Sequence, residues 1–193
     1  MLRVHRIPFS TNVERVALAA GHKGLEVEWV THDPADRSAI RELSGQDLVP
    51  VAETGTQVLT ESMDIVRHLD SLQPDPPLYP REPRPRAQVT VFVEWFNHVW
   101  KGPPNAIAEG DDDPALRDRL HGWRDVFEGL LECRDYLLGE FGAADVCAFP
   151  FLKYAIAEPD PGDTDPFHHV LRELEAPARL RGWIERVDAH PRA

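Results

Sequence analysis

Six prolines crowd the stretch from Gln73 to Pro85, at positions 74, 76, 77, 80, 83 and 85. Each fixes φ near about −65° and lacks a backbone donor, so neither a continuing helix nor an interior strand can pass through. The residues on the two sides must fold as separate runs, and their periodicities differ. We read 1–73 as a mixed α/β region, 74–85 as a linker and 86–193 as a wholly helical region.

Before the prolines, short alternating runs interleave with helical ones. Leu2-Arg3-Val4 reads as a first strand, and Val13, Val16, Ala17 and Ala20 recur at the spacing of a helix that Gly21 and Gly24 end. Val27-Glu28-Trp29 alternates as a second strand, and a helix joining it to the first is what a right-handed β-α-β crossover needs. A short helix is expected around Pro34 to Leu43, then a loop from Ser44 to Leu48 and a strand-like run, Val51-Ala52-Glu53. The turn Thr54-Gly55-Thr56-Gln57 leads into Val58-Leu59, and Thr60-Glu61-Ser62 opens a helix whose apolar face is Ile65, Leu69 and Leu72. The order is β-α-β-α-β-β-α.

After the prolines every period is helical. Val89, Phe92, Val93, Phe96 and Val99 share one stripe, and Leu116, Leu120, Trp123, Phe127 and Leu130 another, as in two long antiparallel helices. Pro103-Pro104 and the acidic run Asp111-Asp112-Asp113 are expected to turn the chain between them, with Asp113 capping the second. Asp145, three residues after Gly142, fits the start of a helix containing Phe149, Leu152 and Ile156, a structural role. Leu180, Trp183, Ile184 and Val187 make a last helix.

A net charge of −12 and a pI near 5.1 argue against a nucleic acid or an anionic membrane as partner, since clustered Lys and Arg hold those. Cys133 and Cys147 fall in helix-like segments without a Cys-x-x-Cys spacing, which points to small buried side chains and not to a disulfide. No apolar signal region or run of about 18 apolar residues occurs, so a cytoplasmic protein is expected. His5, His22 and His32 lack metal-site spacing and an evident acidic partner, and His168-His169 point different ways on a helix; no metal is expected.

Two short motifs carry the chemistry. A proline directly ahead of Val51-Ala52-Glu53 is tolerated only at an edge or turn, and a cis Val49-Pro50 bond there would turn backbone groups outward, where a peptide could pair with them. Eleven residues after Pro50, Glu61-Ser62 stands at a helix start, where free N–H groups, the helix dipole and a hydroxyl all favour an anion. Taken singly, the same residues also suit an ordinary hairpin feeding a capped helix.

In that order and spacing they resemble the thioredoxin-like half of the soluble glutathione S-transferases, serine-type and zeta- or theta-like. The resemblance covers nearly the whole chain. It implies an α+β fold, a thioredoxin-like domain followed by an all-α helical bundle. It also implies that the Val49 backbone pairs with the cysteinyl part of glutathione, while Glu61 and Ser62 hold its γ-glutamyl end. Leu48 stands where the family often has a polar side chain, and Gln46 is the substitute. Phe9-Ser10-Thr11-Asn12-Val13 joins the first strand to the first helix, and Ser10 matches the serine that hydrogen-bonds the glutathione sulfur. The alternative is that Ser10 merely caps the helix, a role for which Thr11 and Asn12 are equally suited. No tyrosine precedes Tyr79 to serve instead. Phe9, Phe96, Trp100 and Asn105 could line a pocket for the second substrate, although an aromatic stripe at helical spacing is also ordinary core.

The function implied is a homodimeric glutathione transferase, with glutathione as co-substrate and a small hydrophobic electrophile as partner. A maleylacetoacetate-type isomerase or a peroxidase would use the same thiolate, although Asn12 stands where the zeta-type motif has cysteine. A binding or regulatory protein that kept the fold without the chemistry, and a low-molecular-weight thiol other than glutathione, remain open alternatives.

Overall fold

The computed structural model describes residues 2–193; Met1 lies outside them. Its first strand, β1 (Leu2–Arg6), buries Leu2 and Val4 and pairs in parallel with β2 (Val27–Thr31), Val4 opposite Trp29. Between them α1 (Thr11–Lys23) makes the crossover that parallel strands require. β3 (Val51–Glu53) runs antiparallel to β1 on its other side, with His5 opposite Val51, and β4 (Val58–Leu59) closes the sheet in the order β2-β1-β3-β4. α2 (Ser38–Ser44) is shorter than expected and starts four residues later, because Asp36 accepts from the Ser38 amide and hydroxyl in a local turn at residues 34–37. α3 (Ser62–Leu72) packs on α1 and buries Met63, Ile65, Val66 and Leu69; Leu72, expected on that face, is 55% exposed in its last turn.

From Pro83 onward the described residues form α4 (Pro83–Trp95), a π-helical turn (Phe96–Trp100), α5 (Gly102–Ala108), α6 (Pro114–Leu130), α7 (Ala143–Leu152), a 3-10 turn (Lys153–Ala155), α8 (Pro166–Arg172) and α9 (Ala178–Asp188). Three expectations are corrected here. Pro103-Pro104 starts α5 and is not a turn, since proline fits the first helical turn, whose N–H groups have no intrahelical acceptor. The wide π turn shifts the phase of the stripe, so that Trp100 is buried and Val99 exposed. Cys133 lies in a turn after α6 with φ +57° and is exposed, whereas Cys147 is buried in α7. Asp113 caps α6 as expected, accepting from the Ala115 amide at 3.0 Å.

The chain forms two compact units, Met1–Tyr79 with His190–Ala193 and Pro80–Ala189. The first half of the proline stretch is held to the first unit by Asp70 of α3, whose carboxylate accepts from the Leu78 and Tyr79 amides and pairs with Lys23, which also reaches the Pro76 carbonyl. Pro83 and Pro85 lie in the first turn of α4. Residues 190–193 return to α1 and β2: the Ala193 amide donates to the Ala17 carbonyl, and the Trp29 indole donates to the Ala193 carbonyl. Gly21 is therefore not a terminator. It sits within α1, where a Cβ would lie 2.3 Å from the Pro191 carbonyl oxygen, and the helix ends instead at Gly24 with φ +63°.

In the second unit Phe96 and Trp100 stack 4.4 Å apart with Phe127 and Phe151 edge-on to both. α7 is buried along its whole length, and Asp145 within it accepts from the Leu137 and Gly142 amides and the Trp183 indole. Among the described residues no helix is long and apolar enough to cross a membrane.

Candidate functional site

Ser10 is the N-cap of α1, with extended φ −68° and ψ 114°, and its Oγ accepts from the Val13 amide at 3.4 Å. A serine hydroxyl has two acceptor sites and one proton, so this long capping bond leaves the O–H to donate elsewhere. Capping therefore occupies only one part of the group. Phe9, just before it, is held at φ +60°, a conformation that costs a non-glycine residue of order 1 kcal/mol, and the residue is 42% exposed.

The Val49-Pro50 bond is cis, and the sheet ladder begins only at Val51, beyond Val49. Val49 buries its side chain in a cluster with Val13, Ile40 and Val51, so the first turn of α1 and the Val-Pro turn share one core. At the other side Glu61 precedes α3, its carbonyl accepting from the Asp64 and Ile65 amides at 3.0 Å while its exposed carboxylate does not cap the helix. Ser62, the first residue of α3, is 6% exposed. Gln46 reaches across from the loop after α2, its Nε2 donating to the Thr60 carbonyl at 3.4 Å. Ser10, Gln46, Val49, Pro50, Glu61 and Ser62 are therefore gathered at the starts of α1 and α3 within the first unit.

One residue of this arrangement escaped the sequence reading. Arg15, 1% exposed, donates from one nitrogen, Nη1, to Asn12 Oδ1 at 3.0 Å and Ser62 Oγ at 3.1 Å. Its signal was present. The run from Val16 to Ala20 is apolar on every face, and a helix apolar all round is buried, so a charge beside it must find an internal partner.

His5 corrects another expectation. It does have an acidic partner, Glu53 on β3, 3.1 Å from Nε2, while Nδ1 lies 2.8 Å from His32 Nε2. The partner comes from the neighbouring strand and cannot be seen in local spacing. The hydrogen bond from His5, with its charge and that of Arg3, holds the Glu53 carboxyl below the usual range. Among the described residues no group of three or more His, Cys, Asp or Glu could hold a metal ion.

Of the four residues suggested for a second substrate, Phe9 lies exposed in the first unit. Phe96 and Trp100 are fully buried in the aromatic core of the second, where Asn105 is exposed on α5. That unit also carries an apolar groove of about 590 Å³ between α4 and α6, lined by Ala87, Val91, Trp95, Val126 and Leu130 with Arg84 and Arg134 beside them.

Residues 4–77 match the family described as glutathione S-transferase, N-terminal domain. Pyrimidodiazepine synthase of Drosophila melanogaster is 32% identical over 119 residues, which are 59% of this chain and 49% of that protein, so the match spans about half its length. FtsZ-localized protein A of Caulobacter vibrioides is 27% identical over 78% of this chain and 75% of its own. In fold, a Tau class glutathione S-transferase from mango, Mangifera indica, superposes with a TM-score of 0.80 over 98% of this chain and 89% of its own, at 16% identity.

Proposed function

We propose that this chain, a member of the soluble glutathione S-transferase family, binds glutathione across the starts of α1 and α3 and activates its thiol through Ser10. What supports this most is the joining of the Ser10 turn to both ligand-side elements, to Val49 through Val13 and to Ser62 through Arg15. The tripeptide's main chain pairs with the Val49 backbone outside the cis Val49-Pro50 turn. Its γ-glutamyl end meets Glu61 as acceptor for the ammonium and Ser62, with the α3 amides, as donors to the carboxylate, while Gln46 borders the same end. The sulfur then faces Ser10.

A free thiol titrates near about 8.5, so only a few per cent is thiolate at neutral pH. Bringing it down by about two units requires roughly 2.7 kcal/mol of preferential anion stabilisation. A hydroxyl donor at the positive end of α1 is of the right kind and size for that. The thiol proton leaves to solvent, the sulfur lone pair forms a new C–S bond to a small hydrophobic electrophile, and the displaced group departs with its bonding electrons. Isomerase or peroxidase chemistry would draw on the same thiolate. The family habit of pairing suggests a homodimer, and we place the second copy on the groove between α4 and α6, where open apolar surface is otherwise left to water.

Titrating the ultraviolet thiolate absorbance of glutathione with wild type and Ser10→Ala tests the reading. Wild type should lower the apparent thiol pKa by about two units and the variant should restore most of it. A second reading, a binding protein without the chemistry, has the likeness to FtsZ-localized protein A in its favour. Glutathione binding with no pKa shift would select it.

A further inference from the structure

Arg15 stands inside the first unit between the two helix starts that the proposed site uses. Its Nη1 carries two hydrogens, so the bonds to Asn12 Oδ1 and Ser62 Oγ form together from one nitrogen. Arginine has no acceptor, so the Ser62 hydroxyl proton cannot point back at it and is turned away from the guanidinium. A hydroxyl that accepts from a cation is also polarised into a stronger donor. Asn12 lies two residues after Ser10 in the same helical turn. One buried guanidinium therefore holds both the carboxylate-side hydroxyl and the thiol-side turn.

We propose that Arg15 is a positioning residue that couples the two ends of the ligand. Through Ser62 it aims a polarised hydroxyl at the γ-glutamyl carboxylate, and through Asn12 it fixes the turn from which Ser10 meets the sulfur. The inference rests on the glutathione reading of the site. A lysine keeps the charge but lacks the planar fork that serves two acceptors at set angles, so it restores the function only in part.

The test uses Arg15→Gln, Arg15→Lys, Asn12→Ala, Ser62→Ala and the Arg15→Gln/Ser62→Ala pair in the full chain. Calorimetry with S-methylglutathione, which has no ionisable thiol, reads the carboxylate side, and thiolate absorbance with glutathione reads the sulfur side. R15Q should weaken S-methylglutathione about tenfold, as expected for loss of a charge-assisted bond, and weaken it no further once Ser62 is alanine. N12A should raise the bound thiol pKa while leaving S-methylglutathione affinity near wild type, a split that general loosening of the fold would not produce. R15K should fall between wild type and R15Q in both readouts, and it carries the test if R15Q does not fold. Losses that multiply in the double variant, or Arg15 variants equal to wild type, overturn the inference alone. A wild type with no affinity for S-methylglutathione overturns the glutathione reading and this inference with it.

Discussion

Burial moves two titratable groups of this chain in opposite directions. It pushes the Asp145 carboxyl up to about 6, against the pull of the Leu137, Gly142 and Trp183 donors, and it lowers half-buried His22 to about 4, helped by the neighbouring His190 and Lys23. Asp145 binds its proton more tightly folded than unfolded, so its contribution to stability is whole below about pH 4 and is lost as pH rises through 6. At most this amounts to about 3 kcal/mol. His22 binds its proton less tightly folded, so its contribution is whole above about pH 6.5 and is lost as pH falls toward 4. Between about pH 4 and 6 the two slopes oppose. Asp145→Asn should lower stability by about 1–3 kcal/mol, because the amide nitrogen cannot accept from the donors a carboxylate satisfies. Chemical denaturation across that window should show the variant gaining stability with pH more steeply than wild type, and equal slopes would contradict the assignment. The cap role of Asp145 was legible because its Gly142 partner is three residues away. The pairing of Arg15 with Ser62 was not, because 47 residues separate them and only the packing of α1 on α3 brings them together.

Among the elements, α1 shows why glycine reads ambiguously. Gly24 has the left-handed φ of a helix end, while Gly21, three residues earlier, is wanted for the space it leaves to Pro191 and Arg192. Nothing local to α1 distinguishes the two, since the tail lies about 170 residues further along. Gly21→Ala should therefore have a sign that depends on the tail. In a chain ending at residue 189 the alanine should raise the melting temperature, a helix-interior gain of up to about 1 kcal/mol. In the full chain it should lower it, because the Pro191 backbone must shift. Equal effects in both chains would mean the tail is not docked in solution. The order β-α-β-α-β-β-α was readable from alternation and period alone, and so was the buried face of α9. The π turn was not, because the shift from Val99 to Trp100 is decided by stacking on Phe96 and not by spacing.

For the molecule as a whole, charge works against self-association. Each copy carries −12, so a pair carries −24, and repulsion between copies is largely screened only beyond a Debye length of about 10 Å at 0.1 M salt. If the second copy sits on the groove between α4 and α6, sedimentation should show association tightening as salt is raised. Val91→Glu, at the exposed apolar edge of that groove, should weaken it at every salt concentration. A dimer indifferent to Val91→Glu would move the interface elsewhere. Charge and hydropathy bounded the class of partner from the sequence, but the groove came into view only with the pairing of α4 and α6. Also hidden was that the first unit is assembled from two stretches far apart in sequence, Met1–Tyr79 and His190–Ala193. During synthesis, the ribosome makes the 110 residues of Pro80–Ala189 between those two pieces, roughly 5–20 s of translation. Over that interval the nascent chain must carry α1 with its Gly21 notch open and the Trp29 indole without the Ala193 carbonyl. Residues 190–193, made only after the whole of the second unit, are the ones that close them.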